Sequence, residues 1–207
     1  MFPCRGTLLD VGCGSCQITT YLAPEFDRVY GIDFSDTMLT AAHQRLDSLG
    51  ITNIKLLSGA AQSLPAAITS ADVILSCAVI QYLSLADFSQ HLQECQRILN
   101  RDGVICVGLV PDAARKNTYY YGYLTANRFR RLRVLRSWID ITRRRVKGYF
   151  VKDLRWDGIG NWFHQADIEQ AAIDAGFEVE FRNSWFSEYR FHALLRRKSL
   201  STEGLPD

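Results

Sequence analysis

The feature that most constrains this chain is the run Leu8-Leu9-Asp10-Val11-Gly12-Cys13-Gly14-Ser15-Cys16. An apolar strand ends on two glycines and a helix follows. Glycines permit a tight turn and bring a ligand against the main chain, and a helix N-terminus favours negative charge. A strand that feeds a helix commits the chain to a crossover connection, and hence to a parallel sheet with both faces covered.

The pattern downstream obeys that constraint. Residues 28–32, 54–57, 71–76 and 104–110 read as further buried strands. Between them lie a helix over 16–22, stopped before Pro24, and a helix capped by Ser35 with the stripe Met38, Ala42, Leu46, Leu49, closed by Gly50. A third carries Leu85, Phe88, Leu92, Cys95 and Leu99 at helical spacing, and Asp102-Gly103 reads as the turn into strand five. Past Pro111 the alternation stops. It resumes with a helix over 167–175, closed by Gly176, and an antiparallel hairpin of 178–185 and 188–197. The expected fold class is α/β: a doubly wound, mostly parallel seven-stranded sheet with a C-terminal antiparallel hairpin. It forms one domain, 1–197, with a basic, aromatic insertion or lid at 112–165 and a flexible tail at 198–207.

Charge singles out the insertion. The 207 residues carry a net +2, but 112–165 holds thirteen Lys/Arg against four Asp/Glu, leaving an acidic body around a basic segment. Three readings stay open for it: an amphipathic cover over the core, with Phe129, Leu132, Leu135, Ile139 and Val146 inward; a lid whose arginines meet an anionic acceptor; or a surface for membrane or nucleic acid, through Tyr119, Tyr120, Tyr121 and Tyr123. Nucleic acid is the less favoured partner, and peripheral membrane contact stays open.

The most apolar stretch, 73–86, is too short to span a bilayer, and six residues before strand one leave no room for a signal peptide. Cysteines 4, 13, 16, 77, 95 and 106 are expected as reduced thiols in a cytoplasmic protein. Cys13 and Cys16 lack the second pair that a zinc site needs, so they read as structural and no metal is expected.

Two kinds of nucleotide suit the glycine loop. A dinucleotide fingerprint requires a third glycine where this chain has Gln17. Asp10, two residues before the first glycine, suits a cationic amino group better than a pyrophosphate. Asp33, ending the second strand, is placed to accept ribose hydroxyls.

On these residues the sequence resembles the class I S-adenosylmethionine-dependent methyltransferases, especially the small-molecule, ubiquinone-biosynthesis-like group. LLDVGCGSC is similar to the family's first motif and VYGIDFSDTML to its second-strand motif. SADVILSCAVIQYL resembles the fourth strand and active-site edge, and RILNRDGVICVG the approach to strand five. The resemblance implies a Rossmann-like methyltransferase fold and S-adenosyl-L-methionine as cofactor. It implies that Asp10 and the backbone of Gly12, Cys13 and Gly14 hold the methionine moiety. Asp33 would bind the ribose, Phe34 would pack on adenine, Ala60 and Ala61 would face its edge, and Cys77 would lie near methyl transfer. The chain departs from the family pattern with Cys16 at the third-glycine position and no carboxylate in Gly59-Ala60-Ala61, where Gln62 stands beside.

The expected activity is methyl transfer to a small-molecule acceptor, with anionic acceptors among the candidates, such as a hydroxyl on a glycan- or lipid-linked compound. A hydroxyl acceptor needs a base, for which His164 and Tyr82 lead, with Asp157 and His192 behind. His43 and His91 read as solvated helix residues. A non-catalytic partner retaining the fold, and an NAD(P) oxidoreductase, are the rival readings.

Overall fold

A computed structural model describes residues 6–121, 139, 143, 159–185 and 187–198. Cys4, most of the basic insertion with Asp157, and the tail from 199 onward lie outside the described residues. The expectations of an amphipathic cover, a lid and a flexible tail fall there.

Seven strands form one sheet in the order β3-β2-β1-β4-β5-β7-β6. Strands β1 (Thr7–Val11), β2 (Arg28–Asp33), β3 (Ile54–Ser58), β4 (Ala71–Cys77) and β5 (Leu99–Pro111) are parallel; β6 (Phe177–Asn183) and β7 (Arg190–Arg197) close the sheet antiparallel. Helices α1 (Gln17–Leu22), α2 (Asp36–Leu49), α3 (Leu85–Ile98), α4 (Lys116–Tyr121) and α5 (Gln165–Asp174) connect them. The order reverses between β1 and β4, where the chain winds outward in both directions. A crevice opens at such a switch point, beyond the carboxyl ends of the strands.

Local chemistry sets the element ends. The Ser35 hydroxyl accepts the Met38 N–H, and Gly50 ends α2 in the left-handed region at φ 64°. Ser84 and Asp87 form a capping box on α3. Side chains from β1, β4, β5 and β7 meet α3 and α5 in one apolar cluster that includes Leu9, Ile74, Phe88, Ile105, Phe177 and Phe191. A second cluster on the opposite face joins Leu8, Cys16, Phe26, Val29, Ala42 and Val104.

Four expectations change. Of the α2 stripe only Ala42 and Leu46 are buried, while Met38 and Leu49 face solvent, because this helix covers an outer part of the sheet. Leu85 begins α3 exposed, and Leu99 is buried as a strand residue rather than at the helix end. The Asp102-Gly103 pair is extended: β5 starts at Leu99, and the extra residues are absorbed by a register shift against β4 between Ala71 and Val73. His91 is buried at 1% exposure rather than solvated.

Candidate active site

Parallel strands deliver their last residues to one edge. Val11, Asp33, Ser58, Cys77 and Pro111 end β1 to β5 there, and β7 starts at that edge because Arg190 pairs with Pro111. The first half of the site is acidic. Asp10 is 3% exposed and accepts the Thr19 hydroxyl at 2.5 Å. Burial, and to a lesser extent the neighbouring Asp33, pushes its pKa up to about 6 despite that hydrogen bond. Asp33 is also buried, and its two carboxylate oxygens accept the N–H groups of Gly14 and Ser35, each at 2.9 Å. It therefore ties the glycine loop to β2 while keeping lone pairs for a ligand. Among the described residues no Lys, Arg or His side chain pairs with either carboxylate.

The loop above these acids is shaped for close approach. Gly12 and Cys13 donate N–H bonds to Ile32 O, at 2.7 and 2.9 Å. A Cβ on Gly12 would overlap the Val79 side chain, whereas one on Gly14 would meet nothing within 4 Å. Space over Gly14 is thus open on the ligand side. Cys16, at the third-glycine position, adopts φ 58°, ψ 30°, a left-handed conformation that usually costs a non-glycine residue about 1–2 kcal/mol. Its thiol is fully buried in the second core cluster.

Beside the loop, Phe34 is 80% exposed, an unusual state for a phenyl ring and one suited to stacking. Ala60 is exposed and Ala61 buried, and Ala61 is held by a residue that sequence patterning missed. His91 Nδ1 lies 3.0 Å from Ala61 O and its Nε2 lies 2.9 Å from Ser76 Oγ. A carbonyl only accepts, so Nδ1 carries the proton and Ser76 donates to Nε2. Burial holds the imidazole below its usual pKa. His91 sits one helical turn from Cys95 and in line with Phe88, the buried face of α3; that spacing was the available signal. Gln62 reaches the Asp87 carboxylate of the α3 cap.

The second half is cationic and aromatic. Cys77 ends β4 half-buried, its thiol pKa raised chiefly by burial, then by Asp10, with Arg190 opposing. It pairs with Gly108 of β5, within electrostatic reach of both Asp10 and Arg190. Ala78, which follows it, and Leu109, which follows its partner Gly108, both have φ 60°. Leu109 is clamped by β7: its N–H is donated to His192 Nδ1 at 3.3 Å, and its carbonyl accepts from Arg190 Nη1. Arg190 Nη2 also reaches Gln81 Oε1 at 3.1 Å. Behind Arg190 stand Tyr189, Trp162 and Tyr119, with ring centroids 4.8–6.2 Å apart, and Lys116 over Trp162. The segment around Trp162 is docked there by Asn161, whose N–H bonds Gln81 O at 2.7 Å and whose amide bonds Leu83 O.

The two leading base candidates are placed less centrally. Tyr82 lies in the 3₁₀ turn after β4 and is 55% exposed. His164 is exposed at the start of α5, where its N–H bonds Asp167 Oδ2 at 3.1 Å. His192 is half-buried, with burial lowering its pKa, and its Nδ1 is engaged by Leu109.

Residues 9–107 match the family described as methyltransferase domain. Solved structures align over nearly the whole chain. A methyltransferase from Clostridium acetobutylicum superposes with a TM-score of 0.69 at 13% identity, covering 96% of this chain and 86% of its own. The YcgJ protein of Bacillus subtilis gives 0.64 at 13% identity, covering 95% and 94%. Residues 9–107 are thus similar to a methyltransferase domain, and the chain shares its fold with these solved structures. Its sequence relatives include demethylmenaquinone methyltransferases of Geobacillus stearothermophilus, 34% identical over 104 residues, and Bacillus mycoides, 33% identical over 103. These matches cover 48% of this chain and 43% of each relative, so less than half the relatives' length is represented. The family match takes in the acidic half of the site and the 77–82 turn, and stops short of Leu109, Trp162 and Arg190. Among the described residues no helix is long and apolar enough to cross a membrane, and no cluster of three metal-ligating side chains occurs.

Proposed function

We propose that the protein is an S-adenosylmethionine-dependent methyltransferase acting on a small-molecule acceptor. The observation that carries this reading is the pair of buried carboxylates, Asp10 and Asp33, that no cationic side chain neutralises among the described residues. Buried charge without a partner is unfavourable, and a ligand bearing an ammonium and two ribose hydroxyls relieves it. In this reading Asp10 takes the ammonium, with Gly12, Cys13 and Gly14 offering main chain to the rest of the aminoacyl group. Asp33 takes the ribose, Phe34 covers the adenine, and Ala60 and Ala61 present its edge. A dinucleotide, with its pyrophosphate over two acids, fits the same loop poorly.

The cofactor supplies a methyl group on sulfur, already activated for displacement. The protein's share is alignment of acceptor and sulfur in line, which is worth several kcal/mol, about 7–11 at best. Cys77 and the 78–82 turn border the place of transfer. For a hydroxyl acceptor, Tyr82 and His164 are the candidates for removing the proton. A hydroxyl on a glycan- or lipid-linked compound fits the aromatic wall of Trp162 and Tyr189 beside Arg190. The relatives' demethylmenaquinone activity is not carried over, because those matches cover 48% of this chain and 43% of each relative.

The test is calorimetric titration with S-adenosylmethionine followed by methyl-transfer assay on a panel of hydroxylated acceptors. One saturable site with turnover supports the reading. Absence of binding at millimolar cofactor overturns it.

A further inference from the structure

Arg190 is a cation that the fold surrounds with neutral groups. Its guanidinium is half-buried at the carboxyl edge, and its described partners are Leu109 O, Gln81 Oε1 and the Tyr189 ring. Among the described residues no carboxylate pairs with it. Two of its five N–H donors are engaged, leaving three. A guanidinium held in this way is poised for an oxyanion, because charge-assisted bonds are about twice as strong as neutral ones and its planar fork is already oriented.

Its position makes that oxyanion part of the acceptor. Arg190 bonds the carbonyl of Leu109, the residue after the Gly108 that pairs with Cys77, so the guanidinium sits close to Cys77 and to the place of transfer that the methyltransferase reading puts there. Leu109 at φ 60° is held by Arg190 at its carbonyl and His192 at its N–H, an arrangement that stores backbone strain to aim the guanidinium. Tyr189 and Trp162 form an adjoining wall for a flat or sugar-sized ring.

We infer that Arg190 anchors an anionic acceptor, gripping a carboxylate or phosphate on the molecule that receives the methyl group. This inference rests on the methyltransferase reading above. It also gives that reading a charge logic: the acidic half attracts a cationic cofactor and the cationic half an anionic acceptor, so neither ligand is drawn to the other's subsite.

The experiment uses the full chain with glucuronate as the carboxylate probe, glucose 1-phosphate as the phosphate probe and glucose as the neutral control. Each is titrated by calorimetry with and without S-adenosylhomocysteine. The expected result is at least tenfold tighter binding of one or both charged probes than of glucose, with the stronger arm identifying the oxyanion. Arg190→Met removes the preference while S-adenosylhomocysteine affinity changes less than threefold. Gln81→Glu supplies an internal carboxylate to Arg190 and removes the preference with the guanidinium still in place, which covers the case in which Arg190→Met fails to fold. Equal binding of charged and neutral probes, or a preference that survives Gln81→Glu, overturns the anchor. Failure of S-adenosylhomocysteine to bind at all overturns the cofactor reading instead, and the charge preference is then read in its absence.

Discussion

The two halves of the crevice are built from opposite charges in opposite ways. The acidic half comes from one contiguous stretch: β1, its loop and the tip of β2 place Asp10, Gly12, Gly14 and Asp33 within 24 residues of one another. The cationic half draws on residues 77–82, 108–119, 159–163 and 189–192, brought together only when β7 inserts beside β5. Each half leaves a charge unanswered within the described protein, acids on one side and Arg190 on the other. The contrast teaches that a binding surface can be complete as a fold and incomplete as electrostatics, with the ligands closing the balance.

The sharpest break in that comparison comes from Asp33→Ala. Asp33 both anchors the loop through Gly14 and Ser35 and offers the ribose acceptors. Its loss is expected to weaken S-adenosylmethionine binding on the order of 100-fold, about 3 kcal/mol, by calorimetry. Binding of an anionic probe at Arg190 should persist. If both halves fail together, they are not independent subsites.

Next in size is His91→Leu. It leaves Ser76 Oγ and Ala61 O without a partner inside the protein, for a loss of about 2–4 kcal/mol. Thermal unfolding should fall by roughly 4–16 °C for a chain of this length. The wild-type imidazole adds a pH signature. Its folded pKa is held below the unfolded value of 6.5, so the unfolded chain binds more protons. Stability from this group is present above pH 6.5 and is lost as pH falls below it. In His91→Leu that acid-side decline should flatten.

Asp10 titrates in the contrary sense. Its folded pKa, about 6, lies above its unfolded value of 3.8, so the native protein holds the extra proton between them. Its contribution is full below pH 3.8 and is lost as pH rises to about 6, leaving an ionised carboxylate at neutral pH as a cost of up to about 3 kcal/mol. An ammonium ligand recovers part of that cost. S-adenosylhomocysteine affinity should therefore fall by up to about tenfold per pH unit below 6, measured by calorimetry from pH 7.5 to 5. An Asp10→Asn protein should bind weakly with no such slope.

The smallest effect concerns Cys16. Glycine there relieves the left-handed strain but forfeits a buried thiol, terms of about 1 kcal/mol each that nearly cancel. Alanine keeps the strain and also loses the sulfur. Cys16→Ala should thus melt below Cys16→Gly, the reverse of their order in an ordinary helix.

The same division explains what the sequence revealed. Strand periodicity, the Ser35 and Gly50 helix ends and the glycine loop are local features, and they placed β1 to β4 and the acidic half within a residue or two, whereas β5 begins five residues before its expected start, at Leu99. The acidic pair was readable because two strand ends and one turn define it. Strand alternation puts Arg190 and His192 on one face of the hairpin and says no more. That both grip Leu109 depends on the β5–β7 register and its shift between Val107 and Val110, which no local pattern encodes. His91 was misjudged because a histidine in an amphipathic helix usually faces water. Here the carbonyl of Ala61 and the hydroxyl of Ser76, distant in sequence, make its burial affordable.

The central claim is that the buried acids receive a cationic aminoacyl nucleoside. Equilibrium titration of the full chain with S-adenosylmethionine at pH 7.5, repeated in the presence of excess NAD, tests it most directly. The account predicts one saturable site that NAD leaves undisturbed. Displacement by NAD, or no saturation at millimolar S-adenosylmethionine, would contradict it.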